Sequence, residues 1–284
     1  MNQNVNKKVV DANVEVHSRL AKDYRKSEPH YRDENIEKVE ARIDAIIGGS
    51  KIDRALDLGC GTGFMIDILR SRVGEVVGVD VTQEMLNEVD LDIEGAKVRL
   101  VNNDTGSYEP GEGSFQLVTA YSFLHHLSDL IPTFETAFKA LSDGGTFYAD
   151  LEPNFYFWEA ISEVSKGGSY DPVVQREISA LLTKGAEIEE QYGVAEDVFH
   201  HAEYGKDVTG GFKETSIVQS LKNVGFSKVE CFYHWFIGEG HLINRDSVEK
   251  NVSLRDAKLV TECLERALPL SRNLFKYMGF VATK

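Results

Sequence analysis

The chain has 284 residues, 42% of them apolar and 27% charged, which suits one large α/β domain with insertions or two small domains. No run of about 18 apolar residues occurs, so no transmembrane helix and no membrane partner are expected. The formal net charge of −15, with no Lys/Arg-rich run, argues against DNA or RNA as a partner, because phosphate backbones are bound mainly through those residues.

The first eleven residues are polar with no apolar stretch behind them, so a signal peptide is not expected. Cys60, Cys231 and Cys263 are far apart and form neither a metal-ligand cluster nor a disulfide framework. A reducing, cytoplasmic setting and no metal site are therefore expected. Val16 to Tyr31 mixes His17, Tyr24, His30 and Tyr31 with charges and reads as a helix outside the main sheet. Asp33 has the chemistry of an N-cap, and Ile36, Val39, Ile43 and Ile46 recur at helical spacing up to Gly48-Gly49.

From Arg54 strands and helices alternate. Strands are expected over Arg54–Leu58, Glu75–Asp80, Lys97–Val101, Phe115–Ala120 and Thr146–Leu151, with a helix over Pro132–Leu141 that starts on Pro132. Such alternation predicts a parallel sheet with right-handed crossovers. The pattern breaks after Glu152-Pro153. Asn154 to Gly211 shows helical stretches, with Ile178, Leu181 and Leu182 in partial periodicity, but no clear strand. A helix near Glu214–Asn223, a strand near Lys228–Phe236, a helix capped by Ser253 and a last strand over Phe275–Ala282 complete the chain.

The chemistry concentrates at Ala55-Leu-Asp-Leu-Gly-Cys-Gly-Thr-Gly63, a strand, a glycine turn and the start of an apolar helix. Glycine reaches positive φ and carries no Cβ to hold a ligand off the backbone, so a nucleoside-bearing ligand can lie on Gly59, Gly61 and Gly63. A dinucleotide fold would show G-x-G-x-x-G. Here the spacing is G-x-G-x-G, and Asp57 stands where a pyrophosphate would meet it but a cationic amino group would tolerate it. Asp80 ends the second strand, 17 residues past Gly63, where its carboxylate can accept two hydrogen bonds from a ribose diol.

The glycine turn resembles the first motif of class I S-adenosylmethionine-dependent methyltransferases. Asn102-Asn103-Asp104, Phe115 through Leu124-His125-His126-Leu127, and Leu141-Ser-Asp-Gly-Gly145 resemble its later motifs, in order, over residues 54 to 153. The resemblance implies a Rossmann-like seven-stranded, mostly parallel sheet with helices on both faces and an antiparallel last strand; Asn154 to Gly211, which it does not cover, reads from its broken strand pattern as a helical lid insertion. The chain so read divides into an N-terminal helical cap (1–50), a cofactor-binding core (51–153), the lid (154–211) and a C-terminal completion of the sheet (212–284).

It further implies methyl transfer from S-adenosylmethionine to an oxygen or nitrogen of a small molecule, leaving S-adenosylhomocysteine. Implied cofactor contacts are Asp57, Gly59, Gly61, Gly63, Asp80, Val81, Met85, Asn103, Asp104, Thr105, Ala120, Tyr121 and Ser122, with Tyr24 from the cap. His126 is the expected base or orienting partner, since histidine titrates near neutral pH. Acceptor contacts are expected from His125, Tyr156, Trp158, His200, His201 and Tyr204. Aminopropyl transfer, cofactor modification and a non-catalytic cofactor-binding subunit stay open as alternatives, as does a homodimer.

Overall fold

The computed structural model describes residues 3–245 and 248–284. Two helices lead: α1 (Gln3–Ser27) and α2 (Asp33–Ile46). The core follows as β1 (Ile52–Leu58), α3 (Phe64–Leu69), β2 (Val73–Asp80), α4 (Gln83–Asn87), β3 (Lys97–Asn102), β4 (Phe115–Tyr121), α5 (Ile131–Ala140) and β5 (Leu141–Pro153). Helices α6 (Phe155–Ser165), α7 (Pro172–Leu182), α8 (Lys184–Tyr192) and α9 (Glu196–Ala202) form the insertion, closed by one π-helical turn, Tyr204–Val208. The chain ends with α10 (Glu214–Val224), β6 (Lys228–Phe236), α11 (Glu239–Ile243), α12 (Lys250–Arg266) and β7 (Phe275–Thr283).

The seven strands form one sheet in the order β3-β2-β1-β4-β5-β7-β6. The first five are parallel, and β7 lies antiparallel between β5 and β6. Strand order reverses between β1 and β4, so a ligand crevice is expected beyond their carboxyl ends. The inner strands are apolar on both faces because helices cover both. Leu56, Val118, Phe134 and Phe147 pack with α5 and α10 on one side. Ile43, Ile66, Leu117 and Tyr148 pack with α2 and α3 on the other.

Helix α1 does not stand apart from the insertion. Its apolar stripe, Ala12, Val16 and Leu20, is buried against Ile188, Val194, Phe199 and Ala202 of the α8–α9 region. The N-terminal segment and the insertion therefore share one small core beside the sheet. Among the described residues no helix is long and apolar enough to cross a membrane.

Several element boundaries differ from the sequence expectation. Helix α1 begins at Gln3, well before Val16, because nothing in the polar start breaks it. Arg32, not Asp33, is the N-cap of α2, and Pro132 is the second residue of α5, behind Ile131. Ser253 is buried inside α12, whose N-cap is Glu249, since Lys250, Asn251 and Val252 all accept helical geometry. Ile178 is buried and Leu182 exposed, while the side chain of Leu181 lies outside the described residues.

Candidate functional site

The glycine turn joins β1 to α3, and all three glycines have positive φ, +71° at Gly59, +51° at Gly61 and +94° at Gly63. At Gly59 the requirement is also one of space, since a Cβ there would fall 2.1 Å from the Phe123 ring. Asp80, at the end of β2, ties the turn down. Its Oδ2 accepts from Gly61 N–H (2.9 Å) and its Oδ1 from Thr82 N–H (2.8 Å). Burial raises its pKa, and these two bonds oppose the rise. Asp104 sits in the turn after β3, where its Oδ1 accepts from the Gly106 and Ser107 amides.

The first cavity lies over this turn, with a volume of about 80 Å³. Gly59, Gly61, Asp80, Met85 and Asp104 form its sheet side, and Asn13, His17, Tyr24, His30 and Tyr31 close it from the N-terminal segment. That segment is fastened to the turn. Arg25 donates to Thr62 O (2.9 Å), pairs with Asp67 and stacks on the Tyr31 ring, whose hydroxyl meets Thr62 Oγ1 at 2.7 Å. His30, buried against the rings of Tyr31, Phe64 and Tyr121, has its pKa lowered to about 3 by burial and stays neutral.

Beyond β4 the chain turns through Ser122, at φ +51°, into a short 3-10 turn, Leu124–His126. Fully buried Glu152 organises this turn by accepting from three successive amides, Phe123 (3.0 Å), Leu124 (2.8 Å) and His125 (3.0 Å). The same carboxylate lies 2.8 Å from His125 Nδ1. Burial opposes a charge on His125, but Glu152 outweighs it and raises the pKa. His126 differs. Its Nδ1 donates to Ala202 O (2.7 Å), which leaves Nε2 as a lone-pair acceptor. Burial, with His125 and His17 adding to it, pushes its pKa well below the ordinary value.

A second cavity of about 270 Å³ adjoins the first. His17, Tyr24, His30, Ser122 and His126 line both. The rest of its wall includes Glu28, His125, Glu203, Lys206 and Tyr277, and both tryptophans of the chain, Trp158 and Trp235. Ser122, Leu151 and Trp235 are the non-glycine residues with positive φ among the described residues, at +51°, +59° and +57°. All three line this cavity. Backbone strain of this kind, of order 1–3 kcal/mol per residue, persists where the surroundings impose it and clusters at functional sites.

Residues 55–145 match the family model described as a methyltransferase domain. The match spans the glycine turn, Asp80, Asp104 and the His125-His126 turn. The chain carries a class I S-adenosylmethionine-dependent methyltransferase domain.

Similar proteins include the ubiquinone biosynthesis O-methyltransferase of Psychrobacter arcticus, 31% identical over 108 residues, which is 35% of this chain and 39% of that protein. The juvenile hormone acid O-methyltransferase of Bombyx mori is 27% identical over 175 residues, 55% of this chain and 59% of the other. The chain spans 39–49% of the length of the first curated relatives it matches. In structure it is similar to an S-adenosylmethionine-dependent methyltransferase of Thermotoga maritima, with a TM-score of 0.54 at 12% identity, covering 96% of this chain and 99% of that one. That likeness is one of fold.

The methyltransferase pocket brings together Tyr24, Gly59, Gly61, Asp80, Val81, Met85, Asp104, Thr105, Tyr121, Ser122 and His126. Asp57, Gly63, Asn103 and Ala120 are not on its wall. Asp57 faces inward, where its Oδ1 accepts from Thr119 Oγ1 at 2.7 Å. Its Oδ2 is buried without a hydrogen-bond partner, and burial raises its pKa to about 7. Gly63 is the N-cap of α3, Asn103 caps its own turn through Asp104 N–H, and Ala120 is buried within β4. Side chains already cover the glycines: Phe123 lies on Gly59, Met85 on Gly61 and Val89 on Gly63.

The residue set fits an S-adenosylmethionine cofactor. Asp80 offers carboxylate lone pairs on the wall, Asp104 has Oδ2 outside the bonds of its own turn, and the orphaned Asp57 oxygen lies just behind the turn. Of the acceptor contacts expected from sequence, His125 and Trp158 line the second cavity. The others do not. Tyr156 is covered by Arg272, whose Cζ is 3.4 Å from the ring centre. His200 and His201 lie on the outer side of α9, because its period turns Phe199 and Ala202 inward instead. They bond Asp207 (2.7 Å) and Asp197 O (2.6 Å). Tyr204 begins the π turn, off the cavity wall. Glu203, part of the polar run His200 to Tyr204 that the sequence offers for acceptor contacts, does line the second cavity. Sequence reasoning missed His17, His30, Thr62, Phe123 and Glu152. An N-terminal run dense in His and Tyr was the available signal for the first two.

Proposed function

We propose that the protein transfers the methyl group of S-adenosylmethionine to an oxygen or nitrogen of a small-molecule acceptor held in the second cavity. The reading is carried by the wall the two cavities share, since a methyl group at that wall faces both. The acceptor's lone pair attacks the methyl carbon in line with the carbon–sulfur bond. As the new bond forms, the carbon–sulfur pair leaves to sulfur, and the sulfonium becomes the neutral thioether of S-adenosylhomocysteine. A proton on the nucleophile, where there is one, has the His126 Nε2 lone pair within the same wall to receive it. The rest of the site positions the partners and keeps water out.

Calorimetry should show binding of S-adenosylmethionine and S-adenosylhomocysteine and none of NAD. Methyl-labelled S-adenosylmethionine incubated with a fractionated small-molecule extract should then yield a labelled product. For that product His126→Ala should lower turnover by about 10²–10⁴-fold, the range for loss of a general base, with cofactor affinity nearly intact. NAD binding without any response to S-adenosylhomocysteine would overturn the reading.

A further inference from the structure

Four side chains on the second cavity's wall form a compact polar cluster: His125 and His126 from the turn after β4, Glu203 at the end of α9 and Lys206 in the π turn. Donor atoms of His125, His126 and Glu203 all lie within 4.8 Å of one another. His125 Nε2 is 3.9 Å from Glu203 Oε2, and His126 Nδ1 is 3.8 Å from Glu203 Oε1. We propose that His125, His126 and Glu203 bind one divalent transition-metal cation on the wall of the second cavity.

His125 has the outer contact of a ligand held for a metal. Glu152, held by three backbone amides, accepts the Nδ1 proton of His125, so Nε2 is the nitrogen turned to the cluster. His126 is held differently: Nδ1, the nitrogen 3.8 Å from Glu203 Oε1, lies 2.7 Å from Ala202 O, so a cation bound through it would take the place of that carbonyl. A second partner such as Glu152 fixes the tautomer and ring orientation of a metal-bound histidine. Glu203 is anchored by Lys206 through Oε2 (2.5 Å), and its Oε1 stays outside that bond. Two imidazoles and one carboxylate suit zinc or the manganese-to-cobalt group, with open positions left for a ligand.

The open positions face a cavity that shares His126 with the cofactor pocket. A hydroxyl bound there would lose its proton more readily, and a carboxylate would be held toward the methyl. In that state His126 acts on the acceptor through the cation. This role rests on the function proposed above; binding of the cation does not. The competing arrangement is a self-contained ion network, Glu152–His125–Glu203–Lys206–Asp207, in which Lys206 and protons serve as the only cations.

The test uses the full chain, freed of any affinity tag and stripped with chelator. Titration with Co²⁺ should give a visible d–d absorption saturating at one equivalent, and Zn²⁺ should displace it. X-ray absorption at the cobalt edge should require two imidazoles and oxygen, with no sulfur. His126→Ala and Glu203→Gln should each weaken Co²⁺ binding at least about tenfold, and Glu152→Gln by about 10–100-fold, the scale for outer-shell partners. His200→Ala should leave it unchanged.

No absorption change, a spectrum indifferent to His126→Ala and Glu203→Gln, or a cobalt site with sulfur or fewer than two imidazoles would overturn the proposal. If the variants fail to fold, the wild-type absorption edge decides. Calorimetry with S-adenosylmethionine on the same samples separates the two ideas. Cofactor binding without cobalt binding removes only the metal site, and the reverse removes only the proposed function.

Discussion

Asp80 anchors the glycine turn, a task its place in the sequence did not show. Its position at the end of β2 marked it for a ribose diol, but in the fold both carboxylate oxygens already receive backbone amides, from Gly61 and Thr82. Removing it therefore takes away the anchor of the glycine turn along with the proposed ribose contact. Asp80→Ala should weaken S-adenosylhomocysteine binding by about 1–3 kcal/mol, the scale for stranding the partners of a charged hydrogen bond. Calorimetry reads the change; unaltered affinity in a folded variant would contradict the ribose role.

Asp57 shows the limit of reading a role from spacing. Its distance from Gly59 is that of a cofactor-side acid, but the alternation of β1 turns it inward to Thr119, with its second oxygen orphaned. Its pKa near 7 when folded lies above the ordinary carboxylate value of about 3.9 in the unfolded chain. Between those pH values the folded state keeps a proton that the unfolded state has lost. Stability from this group is thus fully present at low pH and lost as pH rises through about 7. Asp57→Asn should flatten that fall and be the more stable form by a few kcal/mol above it, measured by denaturant unfolding across pH. Parallel slopes for the two proteins would refute it.

At the scale of elements, the alternating core and antiparallel ending were legible, because buried parallel strands leave long apolar runs between glycine and Asp/Asn turns. The partnership between α1 and the insertion was not. It depends on packing between segments about 180 positions apart, with Leu20 and Phe199 in one buried cluster, and no local pattern encodes it. For the same reason Glu203 could not be joined to His125-His126 from sequence.

The N-terminal segment closes the first cavity, and Arg25 is its fastening to the glycine turn. Arg25→Ala should speed hydrogen exchange in α1 and around Thr62 and lower cofactor affinity, while the sheet exchanges as before. Exchange unchanged in α1 would mean that its packing against α9 alone holds it. Cofactor binding should conversely slow exchange in α1 and α9 of the wild type, as expected of segments that close over a site.

At the scale of the whole molecule, the sheet brings the glycine turn, Asp80, Asp104 and the His125-His126 turn to one rim, and the α1–α9 body roofs that rim. Two cavities result, one over the glycine turn and one beneath the insertion, meeting at His17, Tyr24, His30, Ser122 and His126. The left-handed backbone at Ser122, Leu151 and Trp235 lines the inner cavity, where neither composition nor periodicity could have signalled it. The central claim is that the methyl of the cofactor sits where these cavities meet. A crystal structure with S-adenosylhomocysteine tests it most directly. The account predicts the ribose on Asp80, the adenine beside Asp104 and Met85, and the sulfur at the Ser122–His126 wall, open to the second cavity. A sulfur turned away from that wall, or an adenosyl group bound elsewhere, would contradict it.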